Sequence, residues 1–460
     1  MKRLAICIFA LMIGTSCVET SSSKQPKKSE EISPRAPVES SIESTDKNET
    51  LTIFFTGNEL GSLKPCGCSG GQLGGLDRRT AIFDRASEQS RLIIDTGSLL
   101  KNDAEQDLIK FNIIIQAFGL LDYDLVSLSE KDIEIGRNLG LLDGTSTAVN
   151  MISSNRMADL DLPVKFTKEL TLKDKTITVT VVAFDPKSEL IEQVRELFPK
   201  QRGGRFVNIL ILSNYDPTIK DSIAENVPFV DCIVCPVESD EPMLISDVDA
   251  KPLAFSVGRF GRHVCGLRIT ENNKSRNGLK LSFFDIPVTE DLAQQESLIQ
   301  LYSDYQQIVK QHNLLEKYPR FTLPDGLKYA NSDSCAYCHE YEYIEWMNQP
   351  HAKAFSTLEE VGSQYDPECV ICHVIGMDYE SGYISESKTP LLKDVGCENC
   401  HGPGSAHNEN PEILTTIQES NSICITCHTP EHSNDYAGNE EEKLQLIKHW
   451  REPNEPSNVK

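Results

Sequence analysis

Between Leu51 and Val288 the chain sets short apolar runs, at 51–56, 91–96, 176–185, 207–214, 230–234 and 279–288, among more mixed stretches, and Gly, Asp, Asn or Pro bound the runs. Short apolar runs bounded in this way and alternating with helical stretches predict an α/β layered sandwich over 51–289. The pattern then changes period. From Glu290 to Tyr318 helix breakers are few and Leu292, Leu298, Leu301, Tyr305 and Ile308 recur near helical spacing, which predicts a connecting helix inside a 290–330 linker. Past Asn331 only a few short apolar runs remain, so the 331–460 segment is expected to be mostly α, loop-rich and short of aliphatic core.

The other end has its own pattern. Lys2 and Arg3 precede an apolar stretch from Leu4 to Gly14, followed by Thr15, Ser16 and Cys17. That is the layout of a secretory signal over 1–17, and the stretch is too short for the roughly 20 residues that cross a bilayer. Small residues before a cysteine resemble the bacterial lipobox, which implies lipidation of Cys17, although Gly14 stands where that pattern prefers leucine. A soluble secreted protein and an uncleaved anchor are the alternatives, and each puts the bulk of the chain outside the cytoplasm. Residues 18–50 are mostly Ser, Glu, Lys, Pro and Thr, a composition expected to form a disordered tether to the membrane.

Charge narrows the partners. The 460 residues carry 69 acidic and 45 basic side chains, a formal charge of −24. A field of that sign opposes phosphate backbones, so nucleic acid is excluded as a partner, and basic redox proteins are expected instead.

The strongest chemical signal is a repeated pentad. Cys335-Ala-Tyr-Cys338-His339, Cys369-Val-Ile-Cys372-His373, Cys397-Glu-Asn-Cys400-His401 and Cys424-Ile-Thr-Cys427-His428 are four CxxCH motifs, where chance would supply roughly 0.01. Two thiols attach a haem and the adjacent histidine ligates its iron. A zinc-ribbon set would need the CxxC pairs but not a histidine after each one. Four covalently bound c-type haems are therefore expected, supplying much of the segment's core and making the apo segment largely unfolded.

Six histidines remain for other duties: His263, His312, His351, His407, His432 and His449. The last four lie in the haem segment and are candidates for the sixth iron position. Met347 and Met377 are weaker candidates, since methionine ligation raises a potential that paired histidines keep low.

The segment Trp346-Met-Asn-Gln-Pro-His351-Ala-Lys-Ala, the segment Gly396-Cys-Glu-Asn-Cys-His401-Gly-Pro-Gly-Ser-Ala-His407 and the four motifs resemble the cytochrome c-554 family over about 332–450. The resemblance implies a tetrahaem electron carrier in which His351 and His407 are distal ligands to haems other than the nearest one. His449 and His432 match the family pattern less clearly. It also implies that one haem is left five-coordinate, which supports a second reading: an oxidoreductase acting on a small nitrogen or sulfur compound.

The N-terminal body has a resemblance of its own. Phe54 to Gly61, Leu73 to Arg79, Ile94 to Ser98, Ser127 to Asp132, Val230 to Cys232 and Val257 to Gly261 follow one another as in the calcineurin-like metallophosphatase fold, in its 5′-nucleotidase branch. The metal ligands of that family do not follow. Asn58-Glu59-Leu60, Gly97-Ser98, Ser129 to Asp132 and Pro236 to Ser239 stand at the ligand motifs, and no histidine occurs before His263. Phosphoesterase activity, which needs two bound metals there, is not expected. Cys66, Cys68, Cys232 and Cys235 lie near the vacated places, and the fold implies that their loops converge. Structural disulfides, buried free thiols and a thiolate site holding an additional soft metal remain open for them.

Overall fold

A computed structural model describes residues 49–65, 70–142, 149–154, 160, 162–187, 191–198, 205–275, 277–413, 420–430, 432–433 and 435–450. The signal, the lipidation candidate Cys17, nearly all of the tether, and Cys66 and Cys68 lie outside them.

Twelve strands among the described residues form two six-stranded mixed sheets. In the first, β1 (Leu51–Thr56), β2 (Arg91–Asp95), β3 (Leu125–Ser127) and β4 (Asn150–Ile152) run parallel, and β11 (His263–Glu271) and β12 (Leu279–Pro287) extend it antiparallel beyond β1. In the second, β6 (Lys175–Phe184), β7 (Arg205–Leu212), β8 (Cys232–Val234) and β10 (Leu253–Ser256) are parallel. The antiparallel edges β5 (Lys165–Leu172) and β9 (Met243–Leu244) close that sheet.

The sheets pack face to face. Leu51, Ile53 and Phe55 of β1 meet Val179, Val181 and Ile209 of the second sheet, while Phe54, one residue out of phase, points to the outer face. Alternation along a strand thus buries every residue of β1, which explains its unbroken apolar run. The outer face of the first sheet is covered by α2 (Glu105–Leu120), α3 (Glu130–Asn138) and α6 (Glu296–Gln311), and that of the second by α4 (Ile191–Leu197) and α5 (Pro217–Asn226). α1 (Thr80–Phe83) is a single turn near the first sheet.

Strands with one polar face escaped the apolar-run criterion. β5 alternates exposed or half-buried positions with each other until Leu170 and Leu172, and β11 is interrupted by Gly266, where a Cβ would meet the Phe284 ring at 2.2 Å. The connecting helix is shorter than the 290–318 expectation. α6 starts after Gln295 and ends before Asn313, whose left-handed backbone separates it from the turn Leu314–Lys317. Its buried residues Leu298, Leu301, Tyr305 and Val309 belong to the same core as α2, so it is a layer of the α/β body.

The C-terminal segment holds short helices, and one small cluster serves as its aliphatic core: Leu315, Phe355, Leu358, Val370, Val374, Ile375, Met377, Tyr383 and Leu392. Met377 is buried inside that cluster.

Candidate haem-binding site

Each CxxCH motif closes a helical turn on itself. The amides of His339 and His428 donate to the carbonyls of Cys335 and Cys424 at 2.9 Å, Cys397–His401 is one helix, and the His373 amide donates to Val370 at 2.8 Å. Positions i, i+3 and i+4 of such a turn share a face, so two thiols and an imidazole are directed together.

Three of the motif histidines meet a second histidine from a distant part of the chain. Ring centroids lie 6.1 Å apart for His339 and His407, 6.2 Å for His428 and His351, and 6.2 Å for His401 and His449. An ion between two imidazoles requires about 2 Å of metal–nitrogen bond on each side and about 1 Å more to each ring centre, roughly 6 Å in all. The pairs have that spacing.

The other ring nitrogens are already engaged. Nδ1 of His407, His449 and His373 lies 2.8, 2.9 and 2.5 Å from the carbonyls of Ile413, Ile447 and Ala354, and Nδ1 of His428 lies 2.9 Å from Ser433 Oγ. A carbonyl only accepts, so in the first three Nδ1 carries the proton and Nε2 keeps its lone pair for a metal. Burial, then the neighbouring imidazoles, holds His351 and His401 below the usual histidine range, which favours the neutral, ligating form. His432 belongs to none of the three pairs; its carbonyl accepts from Gln72 Nε2 at 2.8 Å. Three of the four motifs thus face a sequence-distant histidine, and His351 and His407 are two of those three partners.

The motifs lie in contact with one another. The thiols of Cys335 and Cys397 are hydrogen-bond partners, as are those of Cys372 and Cys427, and Cys400 lies within electrostatic reach of Cys424 and Cys427. The second motif therefore neighbours the fourth, the fourth the third, and the third the first. Cys338 and His339 of the first motif are exposed, with Tyr337 91% exposed.

Two carboxylates that sequence reasoning passed over hold this segment in place. Buried Glu398, between the cysteines of the third motif, accepts from the amides of Ala330, Asn331 and Gly404 at 2.7–3.0 Å, fixing the entry of the segment against that motif. Asp366, three residues before Cys369, caps the helix Pro367–Val370 and accepts from Gln106 of α2 at 2.7 Å and Tyr305 of α6 at 3.0 Å. Glu368 pairs with Lys110 of α2. The fourth motif touches the body too, through Arg262 Nη2 on the carbonyl of Pro430 at 3.2 Å and through the Gln72–His432 bond.

In the α/β body, the carboxyl ends of β1 and β2 carry a buried polar cluster. Arg79 Nη2 pairs with Glu59 Oε2 at 2.7 Å, Arg79 Nη1 donates to Tyr123 Oη at 2.9 Å, and Thr56 Oγ1 donates to Asp95 Oδ2 at 2.7 Å. Burial, then the neighbouring Glu59 charge, pushes Asp95 up to about 8. Gly261 passes so close that a Cβ there would lie 2.0 Å from Arg79 Nη2. Nothing in the sequence around Arg79 announces its burial.

Of the four cysteines weighed for a shared site, Cys232 and Cys235 are among the described residues. Cys232 faces the inter-sheet core while Cys235 faces the outer core beneath α4 and α5. Within and just beyond a strand, residues i and i+3 point to opposite faces, so the two thiols do not share a site. Burial raises Cys232 strongly and pushes Cys235 up to about 12, which keeps both as thiols. Neither forms a disulfide, and among the described residues no group of three or more His, Cys, Asp or Glu is placed to hold a metal ion.

Residues 334–402 match the family described as cytochrome c554 and c-prime. The C-terminal region carries a cytochrome c554 family domain. Cytochrome c-554 of Nitrosomonas europaea is 35% identical to this chain over 105 residues, 18% of this chain and 45% of that protein. The cytochrome c-type protein NrfB of Escherichia coli is 33% identical over 93 residues, 18% of this chain and 50% of that protein. The chain thus spans about half the length of these curated relatives. The α/β body is similar in outline to the calcineurin-like phosphoesterase YfkN of Bacillus subtilis, with a TM-score of 0.44 at 15% identity, covering 57% of this chain and 98% of that one. The similarities of the cytochrome c554 domain support a multihaem c-type cytochrome, and the histidine pairs described above extend beyond the matched residues to His449.

Proposed function

We propose that this chain is an extracytoplasmic tetrahaem c-type cytochrome that passes electrons between redox proteins. The signal-like 1–17, with lipid on Cys17, and the tether 18–50 would hold it at a bacterial membrane in the periplasm. The α/β body 51–289 and the linker 290–330 would carry the haem domain 331–460. Haem is attached at Cys335 and Cys338, Cys369 and Cys372, Cys397 and Cys400, and Cys424 and Cys427, with His339, His373, His401 and His428 on the iron. The observation that carries this reading is the set of three histidine pairs at 6.1–6.2 Å.

Bound haem supplies one-electron chemistry. The chain supplies the rest: imidazoles fixed through Nδ1, motifs in contact in the order second, fourth, third, first, and an exposed first motif at which a partner can exchange electrons. The basic character of that partner follows from the net charge of −24.

The body serves as a scaffold in this reading. One buried guanidinium between Glu59 and Tyr123, at strand ends where related enzymes hold two metals, fits a fold that has lost hydrolysis. Intact-mass measurement and the pyridine haemochrome spectrum of protein matured with haem test the proposal: four covalent haems are expected, and fewer than four, or a colourless product, overturns it.

A further inference from the structure

The junction between the second motif and the α/β body holds a charge that the electron-carrier reading does not use. Asp366 is 3% exposed, and its carboxylate accepts four hydrogen bonds: Oδ1 from Gln106 Nε2 at 2.7 Å and the Glu368 amide at 3.0 Å, Oδ2 from Tyr305 Oη at 3.0 Å and Gln306 Nε2 at 3.3 Å. Tyr305 Oη itself accepts from Gln106 Nε2 at 2.8 Å, so its own proton is directed at Asp366. Four donors fill the acceptor sites of an ionised carboxylate. Burial, together with the neighbouring Glu368 charge, holds this carboxyl above its usual range, and Lys110 with the donors from Gln106 and Tyr305 limits the rise.

The cation here is shared. Lys110 of α2 pairs with Glu368 and also faces Asp366 and Asp107, so one positive charge meets three carboxylates and the balance is negative. Tyr302 of α6 lies within electrostatic reach of both Asp366 and Cys369, which places the network against the haem-attachment residues. The Cys369 amide donates to the Asp366 carbonyl at 3.0 Å.

We infer that Asp366 is a fixed buried anion that lowers the reduction potential of the haem attached at Cys369 and Cys372, making the body-side end of the relay the electron-donating end. The physical reason is sign. A buried negative charge favours the ferric form, which carries one more positive charge than the ferrous, and low-dielectric surroundings screen the effect little. The second motif neighbours the fourth, so electrons held there move toward the exposed first motif. Asp366 is a positioning residue for charge, acting through its field and not as a ligand.

The inference rests on haem being bound at the second motif. Spectroelectrochemical titration of the holoprotein reads it. D366N is expected to raise the potential of one haem by an amount equivalent to about tenfold in its reduction equilibrium, 59 mV for one electron, with the other three unchanged. D366E should restore it, and K110Q, which removes the shared cation, should shift the same haem the opposite way. No shift in D366N, or shifts of the same sign in D366N and K110Q, overturns the inference, since a loosened junction would move both alike. A haemochrome count of fewer than four haems in the parent protein would instead remove the reading beneath it.

Discussion

The α/β body and the haem segment solve the same problem with different material. The first sheet alone buries a cluster that runs from Phe54 through Phe111, Phe118 and Tyr123 to Tyr305, and a second cluster fills the space between the sheets. The haem segment has one small apolar cluster around Phe355 and Tyr383, to which the linker adds Leu315, and presents Tyr337, Ile344, Met347, Ile425 and Leu446 to the outside. Apolar burial of about 25 cal/mol per Å² stabilises the first without help, whereas the second must take its missing contacts from covalently attached cofactor.

The largest effect expected from this contrast is on folding without haem. When the chain is exported without the haem-attachment machinery, limited proteolysis should remove the region after Asn331 and spare 51–311; equal protection of both parts would break the comparison. Next in size is a cavity in the body. Phe55, fully buried against Phe255 between the sheets, should cost about 3–5 kcal/mol when replaced by Ala, seen as a lower midpoint for the body's unfolding with unchanged haem spectra. A parallel loss of haem absorbance would mean that the two regions fold as one unit.

Stability of the body should also depend on pH through Asp95. Its folded value near 8 lies above the ordinary carboxyl value of 3.8, so the folded state binds the proton more tightly. The contribution is complete below the unfolded value and is lost as pH rises through about 8. Thermal unfolding of the parent should therefore weaken from pH 4 to pH 8 more than that of D95N; identical pH profiles would contradict it. The smallest effect is expected at the segment's surface, where Lys443 and Asp435 pair at 2.5 Å while partly exposed. K443A should leave the chemical-denaturation midpoint where the parent has it, and a clear shift would contradict this.

The two regions also differ in how much of them could be read from sequence. Covalent haem attachment is local chemistry, so Cys335 to His339 and its three counterparts are legible as words. The partnership of His351 with His428 is tertiary: 3-10 backbone at Pro350–Lys353 and the bond from the Val395 amide to the His351 carbonyl place that ring, and neither is written in the neighbourhood of either histidine. In the body, strands buried on both faces announce themselves as apolar runs, while β5, half polar, does not. At Cys232 and Cys235 strand alternation sends the two thiols into different cores, which the spacing by itself does not show. Arg79 and Asp366 went unnoticed because a charged residue shows its burial only when the fold surrounds it.

Electron paramagnetic resonance of the oxidised holoprotein, alongside H351G, H407G and H449G, tests the histidine pairing most directly. The pairing predicts at least three low-spin haems in the parent and, in each variant, the loss of one low-spin signal with the gain of one high-spin signal. Unchanged low-spin content in any of the three variants would contradict it.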